Sequence, residues 1–78
     1  MMKVRLVEVQ GDQEEFADLI GCNGRLTDLR ADGRTFMPDG RGDFLTMVNK
    51  RTTRKGDRVK VATKLGNVFV FRVLEGGK

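Results

Sequence analysis

Turn-forming residues recur at short intervals along residues 19–74 of this 78-residue chain. Runs of strand-forming residues are separated there by the pairs Asn23-Gly24, Asp32-Gly33, Asp39-Gly40, Gly56-Asp57 and Gly66-Asn67. Gly, Asn and Asp tolerate the backbone angles that tight turns require, so each pair marks a corner of the chain. Several short strands joined by regular turns are typical of a β-barrel or a β-sandwich. The spacing therefore predicts an all-β domain.

Alternation of apolar and polar residues predicts which side chains form the core. The predicted strands are residues 3–9, 25–29, 34–37, 44–48, 59–63 and 68–73. In the fifth run Val59 and Val61 alternate with Arg58 and Lys60, as in a strand with one buried face and one cationic face. The last run is apolar on both faces as far as Arg72 and is predicted to be central. The predicted core comprises Val61, Val68 or Val70, and Phe69 or Phe71.

The first 20 residues are predicted to form a strand and a short connection to the barrel. A period of two in residues 3–9 puts Val4 and Leu6 on one face and Val9 on the other. Asp12, followed by Glu15, resembles a capping box and predicts a short helix; an extended lead-in is the alternative. The predicted division is residues 1–18 for this strand and lead-in, 19–75 for the barrel and 76–78 for a frayed tail.

The composition argues against an enzyme. The sequence has no His and one cysteine, Cys22, so the usual general base and the Cys-His nucleophile pair cannot be assembled. Four aspartates could gather around a hard metal ion, but turn and surface roles account for each of them: Asp28, Asp32, Asp39 and Asp43. We therefore predict no catalytic residue, no cofactor and no metal.

No apolar run approaches the roughly 20 residues that a membrane-spanning helix needs. Residues 1–9 alternate with charge, unlike a signal peptide. The lone cysteine excludes an internal disulfide and is compatible with a reducing compartment. We expect no membrane insertion and a cytoplasmic location.

Positive charge is concentrated in residues 41–64, which hold eight basic and two acidic residues in a chain of net charge +4. Residues 49–57 are predicted to be a long basic connection between strands. The candidate residues for binding nucleic acid or a partner are Lys50, Arg51, Arg54, Lys55, Arg58, Lys60 and Lys64. Such a segment could follow a phosphate backbone, or it could be a solvated loop.

Base stacking has few candidate residues in this chain. Proteins that bind single strands without sequence preference stack bases on aromatic side chains. The sequence has no Trp or Tyr and five Phe residues, most of them in predicted core positions. Phe36 and one of Phe69 or Phe71 are the candidates for exposure. Nucleic-acid binding is therefore the second choice of function.

Several short motifs occur in the order found in one known family. They are Leu19-Ile20-Gly21 with Gly24, Thr27-Asp28-Leu29-Arg30 with Gly33, Gly40 before the strand at 44–48, Lys55-Gly56-Asp57 with Val59-Lys60-Val61, and Gly66 before the last strand. Together they resemble the soluble C-terminal domain of the NfeD family. The resemblance implies a five-stranded OB-fold barrel used for interaction, with stomatin-like membrane proteins as the family's characteristic partners.

These observations predict a small five-stranded OB-like barrel, all-β, with an extra N-terminal strand. The predicted function is a noncatalytic protein-interaction module, with a partner of unknown identity. A homo-oligomer formed through a sheet edge or the N-terminal extension is one form that such interaction could take. Single-stranded nucleic-acid binding through residues 50–64 is the alternative.

Overall fold

The chain forms a closed antiparallel barrel of six strands. The computed structural model describes residues 2–11, 14–30 and 33–75. The strands are β1 (Met2–Gln10), β2 (Asn23–Arg30), β3 (Gly33–Pro38), β4 (Leu45–Lys55), β5 (Arg58–Thr63) and β6 (Val68–Glu75). Each strand pairs with the next one along the chain, and β6 returns to pair with β1. The prediction of an all-β barrel is therefore confirmed.

The N-terminal strand is an integral part of the barrel. Its first residues, Met2 to Arg5, pair with β2, and Lys3 to Gln10 pair with β6. The prediction of five strands plus an accessory one is wrong in its count, because β1 fills the gap between β2 and β6. The sequential strand order also differs from the Greek-key order of OB-folds. The predicted tail at 76–78 lies outside the described residues.

A β-bulge in β1 corrects the predicted alternation. The register between β1 and β6 shifts between Leu6 and Glu8. An extra residue in one strand of a pair changes which side chains face the core beyond it. As a result Val4, Leu6 and Val9 are all buried, whereas strict alternation assigned Val9 to the opposite face.

Three phenylalanines fill the barrel interior. Phe36, Phe69 and Phe71 are each at most 2% exposed, and the Phe36 and Phe71 rings lie 5.2 Å apart. Burial of Val61, Phe69 and Phe71 confirms this part of the predicted core, whereas Val68 and Val70 lie outside the core cluster. The proposed exposure of Phe36 and of one of Phe69 or Phe71 is wrong. The exposed aromatic residue is Phe44, at 64%.

The connection between β1 and β2 covers one end of the barrel. It contains a single turn of 3-10 helix, Ala17–Leu19, where the sequence predicted a short helix opened by Asp12 or an extended lead-in. The Phe16 ring meets the Phe69 ring edge-on at 5.0 Å, and Leu19 is buried. The next residue, Ile20, is 40% exposed. The proposed cap, Asp12, lies outside the described residues. No helix among the described residues has the length and apolar character needed to cross a bilayer.

Truncating the central ring tests the assignment of the core. Phe71 is fully buried, so we expect Phe71→Ala to lower the free energy of unfolding by about 3–5 kcal/mol. Phe44→Ala removes the same atoms from an exposed site and should change it by less than about 0.5 kcal/mol. Urea denaturation of both variants measures the difference. Equal losses would contradict this description of the core.

Gly24 provides a second test, because it lies where β1 and β3 flank β2. A Cβ atom at this position would fall on the carbonyl oxygen of Met37 and 2.8 Å from the Phe36 ring. We expect Gly24→Ala to cost about 1–3 kcal/mol, since the backbone of β3 would have to move. Gly42→Ala is the matched control, because a Cβ at Gly42 meets nothing within 4 Å. A Gly24→Ala melting temperature equal to that of the control would refute the close strand contact.

Candidate functional site

Most of the predicted basic residues lie on a β-hairpin. β4 continues through Lys55, and only Gly56 and Asp57 turn the chain into β5. The predicted long connection at 49–57 is therefore wrong. Its residues form a strand because Asn49 to Lys55 pair with β5, and Gly56 supplies the positive φ of 63° at the turn.

The pairing registers show which of these cations share a face. Residues directly opposite each other in an antiparallel pair project from the same side of the sheet. Val59 and Val61 point into the barrel, so Arg58 and Lys60 point outward. Lys55 lies opposite Arg58, and Thr53 lies opposite Lys60.

Barrel closure extends this outward face onto β6 and β1. Arg58 pairs with Arg72 of β6, and Arg72 in turn pairs with Arg5 of β1. Arg5, Arg72, Arg58 and Lys55 thus form one row across four neighbouring strands. Arg51, opposite Ala62, projects from the same side. We name the six residues Arg5, Arg51, Lys55, Arg58, Lys60 and Arg72 the basic face.

Two members of the basic face were missed by the sequence analysis. Arg5 and Arg72 are isolated cations in apolar strands, far from the basic segment in sequence. The alternating pattern of their strands indicates that both side chains point outward. Assigning them to the basic face also requires knowing that β1 and β6 are neighbours, which the sequence pattern does not establish.

The row of cations is only partly neutralised. Arg72 Nε lies 3.3 Å from Asp57 Oδ2, and Arg5 Nε donates a 2.7 Å hydrogen bond to Asn23 Oδ1. Glu8, opposite Val70, places a further carboxylate on this side of the sheet. Within residues 2–11, 14–30 and 33–75, no ion pair involves Arg58 or Lys60. Like charges directly opposite each other destabilise a sheet, so the row carries an electrostatic cost.

The basic face also has an apolar floor. Val70 points outward between Glu8 and Lys60 but is only 3% exposed. Long charged side chains can cover apolar surface with their methylene stems, which explains this burial. A shallow groove of about 340 Å³ continues the face toward Arg51 and is lined by Gln10, Arg51, Thr53, Lys60, Ala62 and Val68.

Three of the seven candidate residues lie apart from the basic face. Arg54 is opposite the inward Val59; its Nε donates to the Gly56 carbonyl oxygen at 3.2 Å. Lys50 occupies the register shift between Asn49 and Arg51. Lys64 lies in the turn after β5, where its backbone N–H donates to the Val48 carbonyl oxygen at 3.0 Å.

The exposed aromatic ring is distant from these cations along the strand. Phe44 precedes β4 and stands seven positions before Arg51, which is about 23 Å of extended chain. The other described phenylalanines are buried or half-buried. The basic face therefore offers charge and hydrogen-bond donors without a base-stacking platform.

A second charged cluster lies beside the 3-10 turn. Arg41 Nη2 is 2.9 Å from Asp43 Oδ2 and 3.2 Å from Asp18 Oδ2. The hydrogen bond from Arg41 lowers the pKa of the Asp43 carboxyl. Half-buried Cys22 lies nearby, with Sγ 3.6 Å from the Asp18 carbonyl oxygen. No group of three potential metal ligands is found in the described part of the chain. Asp32 and the Asp28 side chain, two of the aspartates considered above, are not described.

Comparison with protein-family models, curated proteins and solved structures finds no match for this chain. The basic face is therefore the feature of the molecule that bears on its function.

Removing one cation from the row should stabilise the protein. We expect Arg58→Thr to raise the free energy of unfolding by roughly 0.2–1 kcal/mol at low salt, because Arg58 stands between Arg72 and Lys55. The gain should shrink near 1 M salt, where the Debye length is about 3 Å. Lys64→Thr removes the same charge from the β5–β6 turn. A gain of equal size in this control, or one unaffected by salt, would contradict cross-strand repulsion.

Proposed function

We propose that this barrel is a noncatalytic binding module that docks an acidic protein surface on its basic face. The row of Arg5, Arg72, Arg58 and Lys55 carries the proposal. The Cα positions of neighbouring strands are held about 5 Å apart, so the charges start from fixed positions. A partner bearing carboxylates would relieve the repulsion along the row. The electrostatic free energy that destabilises the unbound protein would then favour binding.

The apolar floor supports a protein partner. Val70 itself is buried, but the half-buried Ala62 and Val68 present apolar surface in the adjoining groove. Arginine is enriched in protein interfaces because its planar group combines bidentate hydrogen bonding with apolar contact. An acidic protein surface offers both carboxylates and apolar area.

Single-stranded nucleic acid is the second candidate, favoured by the continuity of the cations across four strands. Such a row could follow a phosphate backbone. The distance of Phe44 from the cations weighs against it, since stacking contributes about 1–3 kcal/mol per base in proteins of this kind.

The proposal includes no catalytic step. The basic face consists of cations, with Thr53 and apolar residues beside it, and the sequence contains no His that could act as a general base. The resemblance to the NfeD soluble domain and an OB-like relationship stay predictions, as does the cytoplasmic location. A binding role agrees with that resemblance, although the six-stranded sequential barrel differs from a five-stranded Greek-key barrel.

Binding to two polyanions separates the candidates. Polyglutamate represents an acidic protein, and an oligothymidylate represents a single nucleic-acid strand. We expect titration calorimetry to show salt-dependent binding of polyglutamate, tighter than that of the oligonucleotide at equal charge. Tighter oligonucleotide binding, with a log-log salt slope of about −0.7 per phosphate, would favour the second candidate.

A matched pair of charge reversals locates the site. We expect Arg58→Glu to weaken polyglutamate binding about tenfold, which is about 1.4 kcal/mol. Lys64→Glu makes the same change of charge in the turn after β5, outside the row of Arg5, Arg72, Arg58 and Lys55. It should leave the dissociation constant nearly unchanged. Equal losses in both variants would show that net charge, and not the basic face, governs binding.

A further inference from the structure

Among the described residues, each position of β4 pairs with a strand on one side only. β3 pairs with Leu45 to Val48, and its pairing ends at Gly33. β5 pairs with the rest of β4, from Asn49 to Lys55. Among the described residues, positions 51–55 therefore have no strand on the side away from β5. The barrel is closed as a ring of neighbouring strands, but this segment extends past the part of β4 that β3 covers.

An open strand edge presents backbone N–H and C=O groups at every second residue. Positions 51–55 span about 17 Å, which is long enough to pair with a short extended segment. Arg51, Thr53 and Lys55 project outward along this edge, and the two cations belong to the basic face. The edge and the charges thus occupy the same five residues.

We propose that residues 51–55 accept an extended acidic segment of a partner protein as an added β-strand. This rests on the proposed function and specifies the form of the partner. Backbone hydrogen bonds would provide affinity, and side chains at alternate positions would provide specificity. The matching segment carries acidic residues at positions i and i+4, opposite Arg51 and Lys55, with a neutral β-branched residue between them opposite Thr53.

The charges disfavour a second copy of the chain as the occupant. In an antiparallel pair of two β4 edges centred on Thr53, Arg51 of one copy would face Lys55 of the other. Both outward pairs would join like charges, which destabilises a sheet. The same cations that favour an acidic strand therefore oppose self-association along this edge.

Peptide titration followed by NMR tests the proposal on the intact protein. The probe is the acetylated, amidated peptide TETVTET, whose two glutamates lie on one face of a strand. Two further versions carry N-methyl groups on alternate amides, one version on each edge. We expect one of these to bind at least about tenfold more weakly and the other to bind like the parent, because an added strand uses one edge. Amides within residues 51–55 should gain protection from hydrogen exchange only with the peptides that bind.

A charge swap tests the register of the added strand. The double variant Arg51→Glu and Lys55→Glu changes exposed side chains, so we expect it to fold normally. The double variant should no longer bind TETVTET and should bind TKTVTKT instead. A peptide with its charges at i and i+3 should bind weakly to both the parent protein and the variant. Failure of the swapped pair to bind would overturn the register and the proposal with it.

The outcomes separate this proposal from the proposed function. If both N-methylated peptides bind like the parent and Arg58→Glu weakens all three, acidic segments dock on the basic face without adding a strand. That result overturns the strand proposal and leaves the proposed function standing. Binding of polyglutamate without any binding of TETVTET has the same meaning. If the protein binds neither, both proposals are wrong.

Discussion

Pairing of β1 with β2 on one side and β6 on the other is the constraint on which the rest of the structure depends. Without it, β2 and β6 would each have an open edge, and the apolar faces of both strands would border a gap. The same pairing requires a bulge after Leu6, so that Val9 can join the core. The β2 residue opposite Val4 is Gly24, where Met37 and Phe36 of β3 leave no room for a side chain.

The sequence predicts the strands well because most of them alternate. Val59 and Val61 alternate with cations, and Phe69 to Phe71 lie in an apolar run, so both segments were assigned correctly. The second half of β4 carries no apolar residue from position 49 to 55, and the pattern resembles a solvated loop. Its conformation depends on pairing with β5, which local composition does not encode. Phe36 was misjudged because its short strand offers little periodicity.

The candidate site was predictable in part for the same reason. Four of the seven candidates, Arg51, Lys55, Arg58 and Lys60, belong to the basic face, since they lie on one hairpin and share its register. The other three lie elsewhere: Arg54 projects from the opposite side of the sheet, Lys50 lies at a register shift, and Lys64 lies in a turn. Predicting these differences requires knowledge of the strand register. Placing Arg5 and Arg72 on the same face also requires knowing that β1 pairs with β6. Because the core is built from inward side chains, substitution of the outward cations should affect it little. The like-charged arrangement of these cations is consistent with a binding role.

Ring closure also has a consequence for the order of folding. Lys3 pairs with Glu75, so the contact that completes the barrel joins residues that are far apart in sequence. Contacts of long sequence separation form slowly, because the entropy of closing the intervening loop must be overcome first. During synthesis β1 emerges before its β6 partner exists and spends that interval with an unpaired edge. Charges at Lys3, Arg5 and Glu8 interrupt its apolar residues and would limit aggregation of the nascent chain until closure is complete.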